Sequence, residues 1–143
     1  MMSILGLLAL IALPALAHSR ARANVVAARN AFSATHALAR QSAVQYGRLA
    51  RLHLDPDANR FWVTVDTGMR PLVPRIDTVG PVVGVHTRFG GVEIEGAPRT
   101  ICFDSRGLAT PRSDCDLPNA TIVFKQGEVA DTVTLSRLGR LRR

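Results

Sequence analysis

Four of the last seven residues are arginine: Arg137, Arg140, Arg142 and Arg143, in the run Ser136-Arg-Leu-Gly-Arg-Leu-Arg-Arg143, with no acid among them. A guanidinium fork bonds two oxygens at once, so such a cluster suits an anionic partner, phosphate above all. The same residues also fit a frayed end, or an edge strand kept from aggregating by its charges. Read as a strand, the tail places Arg140 and Arg142 on one face and Leu141 on the other, with Gly139 leading into it.

No other grouping carries chemistry as directly. The chain has no nucleophile elbow, phosphate loop or H-E-x-x-H helix. His18, His36, His53 and His86 are scattered without metal-ligand spacing and read as solvated side chains, so no metal and no cofactor is expected. Glu93 and Glu95 share one strand face, and Asp114 and Asp116 flank Cys115. Paired carboxylates need an enclosing cleft to work as acid and base. A hairpin and a turn offer none, so an enzyme is not expected.

The 143 residues make one domain, with room for a short appendage. A hydrophobic content of 47% argues for a folded or membrane-associated chain and against disorder. The net charge of +7 sits at the ends. Between His18 and Gly47 there are four arginines (Arg20, Arg22, Arg29, Arg40) and no acid, whereas Arg48 to Ser136 is close to neutral. Seventeen of the eighteen basic residues are arginine, a bias that arginine-rich codon usage also explains.

Two elements must position these groups. Ile4 to Ala17 carries no charge, and with Met1–Ser3 it makes seventeen residues, roughly 25 Å of helix. A bilayer core needs about 30 Å. The run fits a signal peptide ending at Ala15-Leu16-Ala17, a buried helix, or a membrane helix that lacks its first residues. Beyond it, Val25, Ala28, Phe32, Thr35, Ala39, Ser42, Tyr46 and Leu49 step by three and four along one helical stripe. The segment is alanine-rich, Pro14 should kink it, and Gly47 should stop it. One long helix from near the start to about Tyr46 is predicted.

After Gly47 the apolar period falls to two. Leu49–Leu54 and Phe61–Asp66 read as a hairpin around Asp55–Arg60. Thr67–Pro81 reads as a loop, and Val82–Phe89 with Val92–Glu95 as a second hairpin turning at Gly90-Gly91. Arg99–Asp104, Ala120–Lys125 and Asp131–Ser136 follow as strands, the last two linked around Gly127. No βαβ rhythm is present, so the sheet should be antiparallel. Cys102 and Cys115, the only cysteines, form a disulfide in an oxidising compartment or remain two buried thiols.

This plan, and three local stretches, resemble the GspH/FimT family of type II secretion pseudopilins and minor type IV pilins. Ile4–Leu16 resembles the family's membrane helix with Gly6 and Pro14 in place. Leu38–Leu54 resembles its passage from helix to strand, and Ile101–Thr110 with Asp131–Arg142 its C-terminal signatures. The family's basic leader, its processing glycine and the Phe-Thr-Leu-Ile-Glu start are not in the sequence. Aligned on Gly6 and Pro14 they fall just before Met1, so an N-terminal truncation is expected. About eight more residues would let the helix span.

The resemblance implies an α+β, pilin-like fold: residues 1–17 an incomplete membrane-embedded helix segment, 18–47 its amphipathic continuation, 48–143 an antiparallel β domain. It implies a non-enzymatic minor pilin or pseudopilin that primes or caps a periplasmic filament of a type IV pilus or type II secretion system. The chain would be single-pass in a bacterial inner membrane, with its C-terminal domain in the periplasm or on a surface filament. Arg20 and Arg22 follow the apolar run, and by charge alone would be kept cytoplasmic. Implied partners are other pilins or pseudopilins, the inner-membrane assembly platform and, given a leader, the prepilin peptidase. Ala28, Phe32, Ala39 and Ser42 would pack helices in the filament. An acid-free arginine helix would repel its own copies, which favours a minor subunit. The alternative is a DNA-binding minor pilin acting in DNA uptake, because a C-terminal Gly-Arg-x-Arg element is implicated in DNA binding in some relatives. Gly139, Arg140 and Arg142 match it, with Arg137 and Arg143 as support. A third reading is a periplasmic β protein with a signal peptide and no filament.

Overall fold

The computed structural model describes residues 2–68 and 75–142, with side-chain surroundings from Leu16 onward. Helix α1 runs from Met2 to Tyr46, unbroken at Pro14, and ends where Gly47 takes a left-handed conformation. Eight strands follow among the described residues: β1 (Ala50–Asp55), β2 (Arg60–Asp66), β3 (Ile76–Gly84), β4 (Glu93–Glu95), β5 (Arg99–Phe103), β6 (Ala120–Gln126), β7 (Val129–Leu135) and β8 (Leu141–Arg142). A single helical turn, α2 (Val85–Arg88), lies between β3 and β4. All pairings are antiparallel.

The strands form two sheets rather than one, ordered β3-β2-β1-β5 and β4-β6-β7-β8. The alternation in β1 turns Ala50, Leu52 and Leu54 inward and leaves Arg51, His53 and Asp55 on the outer face. Both sheets lay their inner faces against α1. Phe32 of the helix joins them: its ring meets Phe61 of β2 edge-on at 5.4 Å and Phe124 of β6 at 5.8 Å. All three rings are fully buried.

Two expected elements differ. The Thr67–Pro81 loop gives way to strand at Ile76, because Val79, Thr78 and Asp77 pair with Val63, Thr64 and Val65 of β2. Residues 69–74 of that loop lie outside the described residues. The second hairpin around Gly90-Gly91 does not form. Val82–Gly84 ends β3, Val85–Arg88 is helical, and β4 pairs with β6 of the other sheet. Val85 on α2 and Ile94 on β4 are both buried, whereas a two-residue hairpin would have placed both in one sheet. Asn59 holds the crossing: its carbonyl accepts from Val85 N at 2.7 Å, and its Oδ1 from Ile94 N at 2.8 Å.

Cys102 and Cys115 are joined in a disulfide with Cα atoms 5.7 Å apart. It ties β5 to the connection between β5 and β6.

Candidate filament surface and C-terminal arginine hairpin

The stripe read from the sequence is a real face of α1, but it looks inward. Ala28, Phe32 and Ala39 are fully buried and Ser42 nearly so, all against the chain's own sheets. The four residues expected to pack against neighbouring helices are therefore occupied within the subunit, where small side chains let strands approach the helix closely. The expectation that they form the filament contact is corrected on that ground.

The opposite face is the one left open. Ala23, Ala27, Asn30, Ala34, Ala37, Gln41 and Val44 are all exposed. They recur at alternating steps of four and three, the spacing that keeps a seam along one side of a helix. Four of them are alanine, which lets a second helix come close. This spacing is present in the sequence, beside the more apolar stripe that contains Phe32.

The acid-free arginines of α1 divide. Arg29 forms an ion pair with Asp131 of β7 at 2.8 Å, and its Nε is buried without a partner among the described residues. Arg40 donates from Nε to the Gly107 carbonyl at 2.9 Å. Arg20 and Arg22 remain exposed.

The C-terminal arginines sit on a hairpin. β7 turns through Ser136–Arg140 into β8, with Leu135 opposite Leu141 and Thr134 opposite Arg142. The turn is closed by Gly139 N to Ser136 O at 2.8 Å and Ser136 N to Arg140 O at 2.9 Å. Leu141 is half-buried against the core, while Arg137, Arg140 and Arg142 are exposed. No carboxylate of the described residues lies within ion-pair reach of these three. Arg143 lies outside the described residues.

Gly139 is buried, and its place in the motif has a packing cause. Its φ is +73°, and a Cβ there would stand 2.7 Å from Ala109 Cβ and 3.0 Å from Phe103 Cε1. Its carbonyl meets His36 Nε2 of α1 at 2.8 Å. His36 is not the solvated side chain that its spacing suggests; it is buried, edge-on to Phe103, and joins the helix to the tail. Burial outweighs the Gly139 carbonyl and, with Arg40 nearby, lowers its pKa to about 4. His53 is likewise held: Nε2 lies 2.8 Å from Thr64 Oγ1, Nδ1 lies 3.3 Å from Thr100 Oγ1, and the ring stacks on Trp62. Burial and the Arg51 charge lower its pKa. Helical phase gave one clue for His36, since it stands four residues after Phe32 and three before Ala39 on the buried side.

Neither carboxylate pair builds a reactive cleft. Glu95 bonds Lys125 at 3.0 Å, and Asp114 bonds Arg51 at 2.8 Å. The Arg51 hydrogen bond holds Asp114 below the usual carboxylate range. Among the described residues no group of three candidate metal ligands comes together.

A long helix backed by two antiparallel sheets is the pilin-like arrangement, and a family comparison agrees with it. The family model for type II transport protein GspH matches residues 28–139. The chain belongs to the GspH family. Its members are pseudopilins of type II secretion, structural and non-enzymatic, and work with other pseudopilins in the cell envelope. No curated protein and no solved structure matches the chain. The GspH match covers the inner face of α1 from Ala28 and every strand but β8, and stops at Gly139. Arg140 and Arg142 lie just beyond it. Among the described residues no helix is long and apolar enough to cross a membrane.

Proposed function

We propose that this GspH-family chain is a minor pseudopilin that primes or caps a periplasmic filament, packing on unlike neighbours through the outer face of α1. It would be anchored in the inner membrane by the apolar segment of residues 1–17. The observation that carries this reading is the exposed seam of Ala23, Ala27, Ala34 and Ala37, backed by a face already filled with the subunit's own sheets. Arg20 and Arg22 stand exposed near the seam with no acid on the helix to meet them. Like copies stacked through this face would bring arginine against arginine, whereas a different subunit can supply the carboxylates. Disulfide trapping in secreting cells, between Ala37→Cys and cysteines introduced on the helices of this and other pseudopilins, tests it. Adducts with another pseudopilin are expected; self-dimers in their place would overturn the minor-subunit reading.

A second reading gives the tail a role in DNA uptake through Arg137, Gly139, Arg140, Arg142 and Arg143. In its favour, Arg137, Arg140 and Arg142 are exposed without carboxylate partners among the described residues. Contacts would be to phosphate and indifferent to sequence, with a log–log salt slope near about −3. Gel shifts with duplex DNA, with and without Arg140→Gln and Arg142→Gln, decide it: binding must be present at low salt and lost in the double variant.

A further inference from the structure

The helix end, the turn after β5 and the C-terminal hairpin meet at one pole of the molecule. Arg40 reaches the Gly107 carbonyl, and a Cβ on Gly107 would lie 3.3 Å from Val44. Gly139 sits directly against Ala109, and the Leu108 carbonyl accepts from Asp104 N at 2.9 Å within the same turn. Large apolar side chains are left outside here: Leu138 is 58% exposed, Leu117 68% and Val44 55%, with Leu108 beside them. A cavity of about 330 Å³ opens among Pro111, Leu117, Pro118, Asn119 and Arg137. Arg140 and Arg142 stand on the adjoining hairpin.

Leucines this exposed, gathered beside arginines with no ion-pair partner among the described residues, mark a recognition surface rather than a solvated one. We propose that this pole docks a segment of another protein that combines aliphatic side chains with carboxylates, the aliphatics seating on Leu117 and Leu138 and the carboxylates on Arg137 and Arg140. The proposal rests on the reading of the chain as a filament subunit and names the chemistry of one neighbour. Phosphate contacts alone would leave the leucines in water, so a protein segment fits the surface more completely than a nucleic acid does. A second copy of this chain is a poor occupant. Seven of its eleven acids are already in ion pairs: Asp55, Asp66, Asp77, Glu95, Asp104, Asp114 and Asp131.

The test is fluorescence anisotropy on the full chain in nonionic detergent with three labelled synthetic peptides. One alternates leucine and glutamate, one replaces glutamate by lysine, and one replaces leucine by serine; a short DNA duplex is the fourth probe. The leucine–glutamate peptide should bind roughly ten-fold more tightly than either control peptide. The double variant Leu117→Ser and Leu138→Ser should weaken it roughly ten-fold, and Val82→Ser, an exposed position on β3, should not. Equal binding of all peptides, no binding of any, or tight duplex binding untouched by the leucine changes would each overturn the proposal. The titration needs no assembled filament. A failure here with secretion still dependent on the gene removes this surface alone, while secretion unaffected by deletion of the gene removes the subunit reading.

Discussion

The inner face of α1 buries Val25, Ala28, Phe32, Ala39 and Ala43; the outer face exposes Ala23, Ala27, Ala34 and Ala37. Both are built largely from alanine at helical spacing, yet one is core and the other surface. What separates them is the company the alanines keep. On the inside a single large ring, Phe32, fills the gap between two sheets, and Thr35 and His36 find partners within the chain: Thr35 Oγ1 donates to Ala31 O at 3.0 Å, and His36 meets Gly139 O. On the outside only Asn30, Gln41 and Val44 interrupt the alanines. A small side chain exposes little apolar area when alone and permits close approach when another helix arrives. Small residues therefore say that something packs closely, and only the large residue among them says whether it is the subunit itself.

The sharpest way to break this contrast is Phe32→Ala. It removes contacts to both sheets and should cost about 3–5 kcal/mol in chemical denaturation. Ala34→Ser on the outer face should stay within about 0.5 kcal/mol. Equal effects would erase the distinction between the faces.

Acid should act on the inner face next. His36 is held neutral when folded, with a pKa of about 4 against 6.5 when unfolded. The unfolded chain therefore binds a proton that the folded one refuses. Stability is full above pH 6.5 and is lost as pH falls through about 4, by roughly 3 kcal/mol at the limit. His36→Phe should flatten that window in melts across pH, even though it leaves the Gly139 carbonyl unpaired. An unchanged slope would mean that other groups control acid sensitivity.

Away from the helix, the Cys102–Cys115 bond spans 13 residues, and reducing it should cost about 2–3 kcal/mol, read from melts with and without reductant. A smaller change is expected from Asp131→Asn, which removes the partner of Arg29 at the margin of the inner face. About 1–2 kcal/mol should be lost, and less at high salt. A loss that does not depend on salt would point to repacking instead of charge.

The long helix, its stop at Gly47, the β1–β2 hairpin and the strands around Cys102, Phe124 and Val133 were legible because their periods are local. The crossing from β3 to β4 was not. Gly90-Gly91 is good hairpin chemistry, and only the distant bonds from Asn59 to Val85 and Ile94 decide against it. His36 was illegible for the same reason, since its partner is 103 residues away. Of the site, the tail's alternation of arginine and leucine could be read directly. The proposed filament face could not, because two alanine stripes compete and the sequence does not say which one the sheets will cover.

The most direct test of the central claim, that the outer alanine face of α1 is where this pseudopilin meets its neighbours, is the double variant Ala27→Leu and Ala34→Leu. Both leucines keep helix propensity and touch nothing in the core, so the melt should move by less than about 0.5 kcal/mol. Trapping to other pseudopilins and secretion should both fall by roughly ten-fold or more, because the added bulk holds the helices apart. A folded double variant that traps its neighbours and secretes like the parent would contradict the account.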